Sequence, residues 1–366
     1  MTSNASTFWR GIRVLVTGHT GFKGSWLALW LARLGAHVTG VALPPATKPN
    51  LFSLANVDSI CTSHFCDIRE LSGLRAVFQA ADPEIVFHLA AQPLVRESYR
   101  QPVETFATNV LGTAHVLEAM RGLGAVRASV IVTTDKVYEE DFAAVGVAAL
   151  TEHTGSGHSY RETDTLGGHD PYAASKAASE IVVQSYRRSF LAPTGNAVAT
   201  ARAGNVIGGG DWAPERIIPD AVRSWQGGLP LVVRRPEAVR PWQHVLEPIS
   251  AYMTLAHRLW NDPHLASAYN FGPTSSSVVP VRRLVELANA AFGKGETVFE
   301  DVANGPHEAA WLSLNAEKAE QTLAVRPRWD LETAVGRTMN WYARCDRGES
   351  AAALCRADID AFEAAA

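Results

Sequence analysis

The feature that most restricts the fold lies between residues 12 and 34. Val14-Leu15-Val16-Thr17 leads into Gly18-His19-Thr20-Gly21-Phe22-Lys23-Gly24, and a helical pattern starts at once. Glycines spaced this way between strand and helix allow a tight turn and let a bound group approach the backbone closely. The free amides and partial positive charge at the start of the helix then favour a phosphate. Within the helix Leu27, Trp30, Leu31 and Leu34 recur at three- and four-residue spacing, which marks one face buried on a sheet. The pattern reads as the entry to a dinucleotide-binding α/β domain. The blander alternative is a flexible turn between strand and helix.

The rest of the first half continues that rhythm. Strands are expected at Ile12–Thr17, Ala36–Ala42, Ile85–Leu89 and Ser129–Thr134, and helices at Lys23–Leu34, Glu70–Ala80 and Val103–Leu123. Alternation of this kind predicts a Rossmann-like, doubly wound parallel sheet. Asp170-Pro171 is a clean helix start, since Asp can cap the free amides and Pro suits the first helical position, so a helix is expected from Pro171 to about Phe190. Beyond Arg202 the character changes to Gly208-Gly209-Gly210, scattered prolines and short mixed segments. The expected organisation is a dinucleotide-binding domain over 1–205, with 238–277 returning to it, and a smaller mixed α/β substrate region over 206–237 and 278–345. An uninformative tail follows at 346–366. The stretch 139–169 reads as a long loop, and long loops in compact domains are more often functional than idle.

Composition narrows the class. With 366 residues, 47% hydrophobic and 19% charged, the chain can bury a large core, and a net charge of -4 gives no basic excess for nucleic acid. Cys61, Cys66, Cys345 and Cys355 show neither the paired spacing of a zinc site nor the density of a disulfide scaffold, so reduced thiols and no metal are expected. Residues 1–10 are polar and lack the apolar core of an export signal. The longest apolar stretch, Trp26 to Leu43, is interrupted by Arg33, Gly35 and His37, and reads as a buried helix and strand rather than a membrane span. A cytoplasmic enzyme is the expectation.

Two clusters carry the chemistry. Tyr172 and Lys176 stand four residues apart on the helix begun by Asp170-Pro171, hence on one face. An ammonium and a cationic nicotinamide ring both favour phenolate, which would bring a tyrosine base toward neutrality. Thr133-Thr134-Asp135-Lys136 follows an apolar run and falls at the carboxyl end of a central strand, where open α/β sheets place their ligands. There a hydroxyl, a carboxylate and an ammonium can position a substrate hydroxyl and protonate a leaving group. The structural alternative is a surface ion pair between Asp135 and Lys136. Cofactor choice leans to NAD over NADP. The acidic residue expected at the end of the second strand is replaced by Val41-Ala42-Leu43-Pro44, and no nearby arginine could hold a ribose phosphate. Asp67-Ile68 can border the adenine or cap the turn before Arg69-Glu70.

The segments TGHTGFKG (17–24), HLAAQPLV (88–95), TTDKVY (133–138), YAASK (172–176) and RPWQHV (240–245) occur in order. With them the chain resembles the extended short-chain dehydrogenase/reductases that modify nucleotide sugars, and among these the CDP-glucose 4,6-dehydratases, over about residues 11–341. The resemblance implies that Gly18, Thr20, Gly21, Phe22, Lys23 and Gly24 hold the pyrophosphate of NAD. It implies that Asp67 and Ile68 border the adenine, that Leu89, Ala90, Ala91, Thr108 and Thr133 line the cofactor, and that Gln92 faces the sugar. Thr134, Tyr172 and Lys176 match the family's catalytic hydroxyl, base and lysine, with Asp135 as the acid for the elimination. Lys136 stands where the better-known dTDP-glucose dehydratases carry a glutamate base. Asn205 and Arg240 match positions that contact the substrate diphosphate, although Pro241 replaces the aspartate that follows the arginine in relatives. His244 is expected to be structural. A nucleotide-sugar 4-epimerase shares the fold, the cofactor and the Tyr172-Lys176 pair but needs no acid, and Asp135-Lys136 argues against it. A binding protein that has lost its chemistry is a further alternative. Relatives pair through helices corresponding to 103–123 and 171–190, so a homodimer is expected, with no nucleic acid or membrane partner.

Overall fold

The structure, a computed structural model, describes residues 7–139, 157–300 and 311–365. A seven-stranded sheet runs in the order β11-β6-β5-β4-β1-β2-β3. It comprises β1 (Arg13–Thr17), β2 (His37–Ala42), β3 (Thr62–Phe65), β4 (Ile85–His88), β5 (Ala128–Val132), β6 (Ala197–Ala203) and β11 (Ala268–Phe271). Every pairing in it is parallel. The order reverses between β1 and β4, and such a switch point opens a crevice at the carboxyl ends of the strands.

The pleat divides the core. Val14 and Val16 of β1 face one hydrophobic cluster, with α1 (Phe22–Arg33) and α7 (Leu246–Asn261). Leu15 faces the other cluster, with α2 (Leu71–Ala81), α4 (Gly112–Met120) and α5 (Pro171–Tyr186). Strands covered on both faces read as continuous apolar runs rather than alternating ones. The expected strands and helices of the first half form with boundaries shifted by a residue or two. The expected helix Val103–Leu123 differs: Pro102–Phe106 (α3) passes into a π turn at Ala107–Leu111 before α4. The helix from Pro171 likewise ends in a π turn at Arg187–Leu191. Asp170 caps α5 by accepting from the Ala173 amide at 2.8 Å.

Beyond β6 the chain forms short elements: β7 (Val206–Ile207), α6 (Ile217–Gln226), β8 (Leu231–Val233), β9 (Val239–Pro241) and β10 (Gln243–His244). Further on come β12 (Val278–Pro280), α8 (Val281–Phe292), β13 (Thr297–Phe299) and α9 (Leu331–Asp346). Three two-stranded pairings, β10-β7, β12-β9 and β13-β8, tie these short strands together. The alanine-rich end is ordered as well. Residues Ala351–Ala364 form α10, which buries Leu354, Cys355, Ile359 and Phe362. Trp30 of α1 meets it, with the indole N–H donating to Glu363 at 2.9 Å and the ring edge-on to Phe362. Residues 140–156 of the expected long loop lie outside the described residues. No described helix is long and apolar enough to cross a membrane.

Candidate active site

A cavity of about 860 Å³ opens at the switch point, and every residue singled out from the sequence lines it except Gln92 and His244. Its first wall is backbone. Gly18 has φ +80°, and a Cβ there would stand 2.7 Å from the Ala90 amide nitrogen. A Cβ on Gly24 would stand 2.0 Å from the Gly18 carbonyl oxygen, so the turn closes only with glycine at both positions. Gly21 precedes α1 and no side chain caps that helix, which leaves its first amides to a ligand. A dinucleotide pyrophosphate fits this cradle.

A buried hydrogen-bond chain fixes the facing wall. The Thr17 hydroxyl accepts from the amides of Leu89 and Ala90, both at 3.2 Å. Its own proton therefore goes to His88 Nδ1 at 2.7 Å, so His88 Nε2 carries the ring proton and donates to Thr113 at 3.0 Å. Burial, with Lys176 nearby, pushes the His88 pKa down to about 3 and keeps the ring neutral. Thr113 donates to the Asn109 carbonyl at 2.6 Å, and Ser179 of α5 donates to the same oxygen at 2.8 Å. The π turn exposes this carbonyl to two hydroxyls. The Asn109 side chain bonds both the amide and the carbonyl of Gln92 and donates to Ser175, stitching the β4 loop to α5.

That stitching corrects the expectation for Gln92. Its amide group donates to the Leu94 carbonyl and the Thr105 hydroxyl, and its oxygen accepts from the Leu94 amide at 2.6 Å. The side chain is satisfied by its own loop and by Thr105 of α3, and does not line the cavity. Arg96, four residues on, does. Thr20 and Thr133 reach the cavity with their hydroxyls engaged elsewhere: Thr20 donates to the Leu43 carbonyl at 2.9 Å and Thr133 to Glu180 at 2.6 Å. At the adenine end Asp67 serves the turn and the cavity wall together, accepting from the Arg69 amide and guanidinium. Arg69 also pairs with Glu104.

The sugar end is built of side chains. The Tyr172 hydroxyl is bonded to Thr134, and Thr134 donates to Asp135 Oδ1 at 2.9 Å. Asp135 is buried, and its Oδ2 has no hydrogen-bond partner among the described residues. Burial raises its pKa against the opposing pull of Lys136, Thr134, Arg240 and Lys23. Lys176 donates to the Val132 carbonyl at 3.1 Å, and burial pushes it down to about 8, with Glu180 pulling the other way. Burial pushes the Tyr172 phenol up to about 12, and the Thr134 bond and Arg216 offset this only in part. The chain by itself holds Tyr172 protonated. Lys23 projects from the glycine turn toward the same place, pushed down to about 8 first by burial and next by Arg216, while Asp135 pulls it back up.

Several contributors were not legible one by one. Glu180, one turn beyond Lys176, forms a buried two-point ion pair with Arg202 at 2.9 and 3.0 Å and accepts from Thr133 and Thr200. Arg202 also donates to Tyr138, which donates to Asn270. Arg216 enters the cavity held by Asp211 at 2.8 Å. The four-residue step from Lys176 to Glu180 was a readable signal, whereas Arg216 lies outside every motif. Gly204 permits a close crossing: a Cβ there would meet Pro241 at 2.6 Å and Asp135 Oδ2 at 3.0 Å, so Asn205 and Arg240 pass beside the acid. His244 is buried and packed between Trp26 and Trp329, with no cavity contact. Among the described residues no cluster of potential metal ligands occurs.

Comparison with known proteins places this arrangement among relatives. The sequence profile of the family described as GDP-mannose 4,6 dehydratase matches residues 15–338. The CDP-glucose 4,6-dehydratase of Salmonella typhimurium is 42% identical over 364 residues, covering 98% of each chain. The dTDP-glucose 4,6-dehydratase of the same organism is 25% identical over 90% of this chain and 92% of its own. Among solved structures, the dTDP-glucose 4,6-dehydratase of Bacillus anthracis in complex with NAD superimposes with a TM-score of 0.73 at 22% identity. It covers 92% of this chain and 98% of its own. At that identity the likeness shows the fold, a Rossmann-like sheet flanked by helices.

Proposed function

The chain belongs to the GDP-mannose 4,6 dehydratase family, and we propose that it is an NAD-dependent hydro-lyase that converts CDP-glucose into CDP-4-keto-6-deoxyglucose and water. One observation carries this reading beyond the fold. Asp135, a buried carboxyl with one unpartnered oxygen, sits one residue from the hydroxyl that bonds Tyr172. Oxidation and epimerisation at C4 need a base; only an elimination needs a second, protonated acid beside it.

The residues divide the work. Asn205 and Arg240, with Arg216, hold the diphosphate and so place the glucose against β5. When bound, NAD supplies an acceptor for the C4 hydride, a donor for its return to C6 and a positive ring that draws the proton off Tyr172. Tyr172 takes the proton of the O4 hydroxyl, with Thr134 as the bonded partner that steers it. Lys176 stands behind as a cation whose position is held by the Val132 carbonyl and whose charge is supported by Glu180. With C4 a ketone, the C5 proton becomes acidic. Asp135 gives its proton to the O6 hydroxyl, the C6–O bond breaks and water leaves. Lys136 serves the C5 step, as its base or as the cation beside the enolate. C5 exchange with deuterated solvent should vanish in Lys136→Ala if it is the base and slow if it is the cation; undiminished exchange removes it from the step.

The substrate lobe, 206–237 with 278–345, closes on a cofactor domain made of 1–205 with 238–277. A homodimer is supported by the outer face of α3, the π turn and α5. There Val103 is 77% and Ile181 60% exposed, with Phe106 and Leu111 beside them, an apolar surface a second copy would cover. The four free thiols suit a cytoplasmic enzyme. The test of function is incubation with the CDP, dTDP, UDP and GDP forms of glucose followed by mass spectrometry. Loss of one water from CDP-glucose is expected. Unchanged mass with altered sugar stereochemistry would establish the epimerase instead.

A further inference from the structure

One stretch of the cavity wall is poor in neutral polar side chains able to recognise a base. It includes Leu231, Val232 and Val233 of β8, then Arg234, Arg235, Ala238 and Val281. The nearby carboxylates are engaged: Asp211 with Arg216 and Glu215 with Arg100, while Asp220 pairs with Arg223. Arg234 is exposed, lines the cavity and makes no ion pair among the described residues. The pleat of β8 buries Leu231 and Val233 and turns Val232 outward, and the next position on Val232's side of the chain is 234. Val232 is 49% exposed and its partner across the strand pair is Val298, itself 36% exposed. The apolar pair Val232 and Val298 therefore leads, along β8, to a guanidinium at the cavity.

We propose that Arg234 reads the pyrimidine of the substrate and selects cytosine over uracil and thymine. This rests on the nucleotide-sugar reading above and names the residue that sets its base. A flat base covers the cavity-lining Val232. Its recognition edge then meets a group that can only donate hydrogen bonds. Cytosine offers two neighbouring acceptors, O2 and N3, which match the two parallel N–H groups of a guanidinium. Uracil and thymine carry a proton on N3, so a donor would face a donor and one of the two hydrogen bonds would be lost.

The test measures CDP and UDP binding to the NAD-loaded protein by calorimetry, in the wild type and in Arg234→Ala, Arg234→Lys and Arg235→Ala. The wild type should prefer CDP. Arg234→Ala should weaken CDP by about 10- to 100-fold, the scale of one two-point contact, and change UDP by less than about threefold. Lysine, which lacks the planar fork, should not restore the preference, and Arg235→Ala should keep it. An equal loss for both nucleotides that lysine repairs would make Arg234 a phosphate contact and overturn the proposal, as would a wild type without preference. Turnover of CDP-glucose, followed in parallel, separates the two claims: retained base preference without dehydration would refute the dehydratase reading alone.

Discussion

At the β1–α1 end of the cavity the wall is main chain, held by glycines that tolerate no Cβ and by amides that Thr17 and His88 keep in place. At the β5–α5 end it is side chain, drawn from residues 23, 134–136, 172–176, 204–216 and 240, each set by partners distant in sequence. The first end recognises a shape and a charge common to many ligands. The second positions one acid, one phenol and several cations whose charges depend on burial and on each other. Geometry that lives in the backbone survives polar substitutions around it, whereas geometry that lives in a buried charge network fails when a single member is neutralised.

Substitutions at the two ends should therefore fail differently. Tyr172→Phe should lower kcat by about 10²- to 10⁴-fold, the range for a lost general base, with NAD affinity nearly unchanged; steady-state kinetics and cofactor titration check both halves. Gly24→Ala should do the reverse. The 2.0 Å approach to the Gly18 carbonyl forces the turn open, so NAD binding by calorimetry should weaken by about 100-fold while the melting temperature shifts by only a few degrees. A Gly24→Ala protein that binds NAD normally would break the comparison, because the first end would then not depend on its backbone.

The next effect concerns support beneath the catalytic edge. Glu180→Gln leaves Arg202 buried without its counter-charge, and the expected loss is about 3–5 kcal/mol by urea denaturation. It also removes the group that raises the Lys176 pKa, so the alkaline limb of kcat should move to lower pH in the part of the population that stays folded. A smaller effect follows from three buried histidines held neutral: His19, pushed down to about 4, and His88 and His244, each to about 3. Their folded values lie below the ordinary 6.5, so the unfolded chain binds more protons than the folded one between these limits. Stability should thus be full above about pH 6.5 and fall as pH drops toward 4, by about 1.4 kcal/mol per pH unit for each group. Thermal melts at stepped pH read the slope. The smallest effect is Gln92→Ala, which should leave KM within about threefold because its side chain is bonded to its own loop and to α3, away from the cavity.

The same division explains what could be read from the chain. The cofactor cradle is contiguous over residues 12–34, so strand, glycines and helix were legible together, and the Asp170-Pro171 start placed Tyr172 and Lys176 on one helix face. β6 was not expected, because Ala197–Ala203 carries few β-branched residues. It is a central strand whose small side chains suit burial on both faces. The π turn at Ala107–Leu111 left no mark in the periodicity, since its extra residue is used by Asn109, Thr113 and Ser179 in contacts between helices. α10 was hidden by alanines, although Leu354, Cys355, Ile359 and Phe362 fall on one helix face. The phenolate expected of Tyr172 was drawn from Lys176 and a cationic nicotinamide ring together; in the chain by itself burial sets the phenol's direction, upward. Arg216 and Arg202 enter through contacts no local spacing encodes.

The most direct test of the account is Asp135→Asn turning over CDP-glucose in deuterated water. C4 oxidation relies on Tyr172, Thr134 and Lys176, so exchange at C5 should persist in this variant, while the product one water lighter should fall by at least about 100-fold, the lower end of general-acid contributions. Dehydration at the wild-type rate would show that Asp135 is not the acid and would contradict the elimination chemistry assigned to the β5 edge.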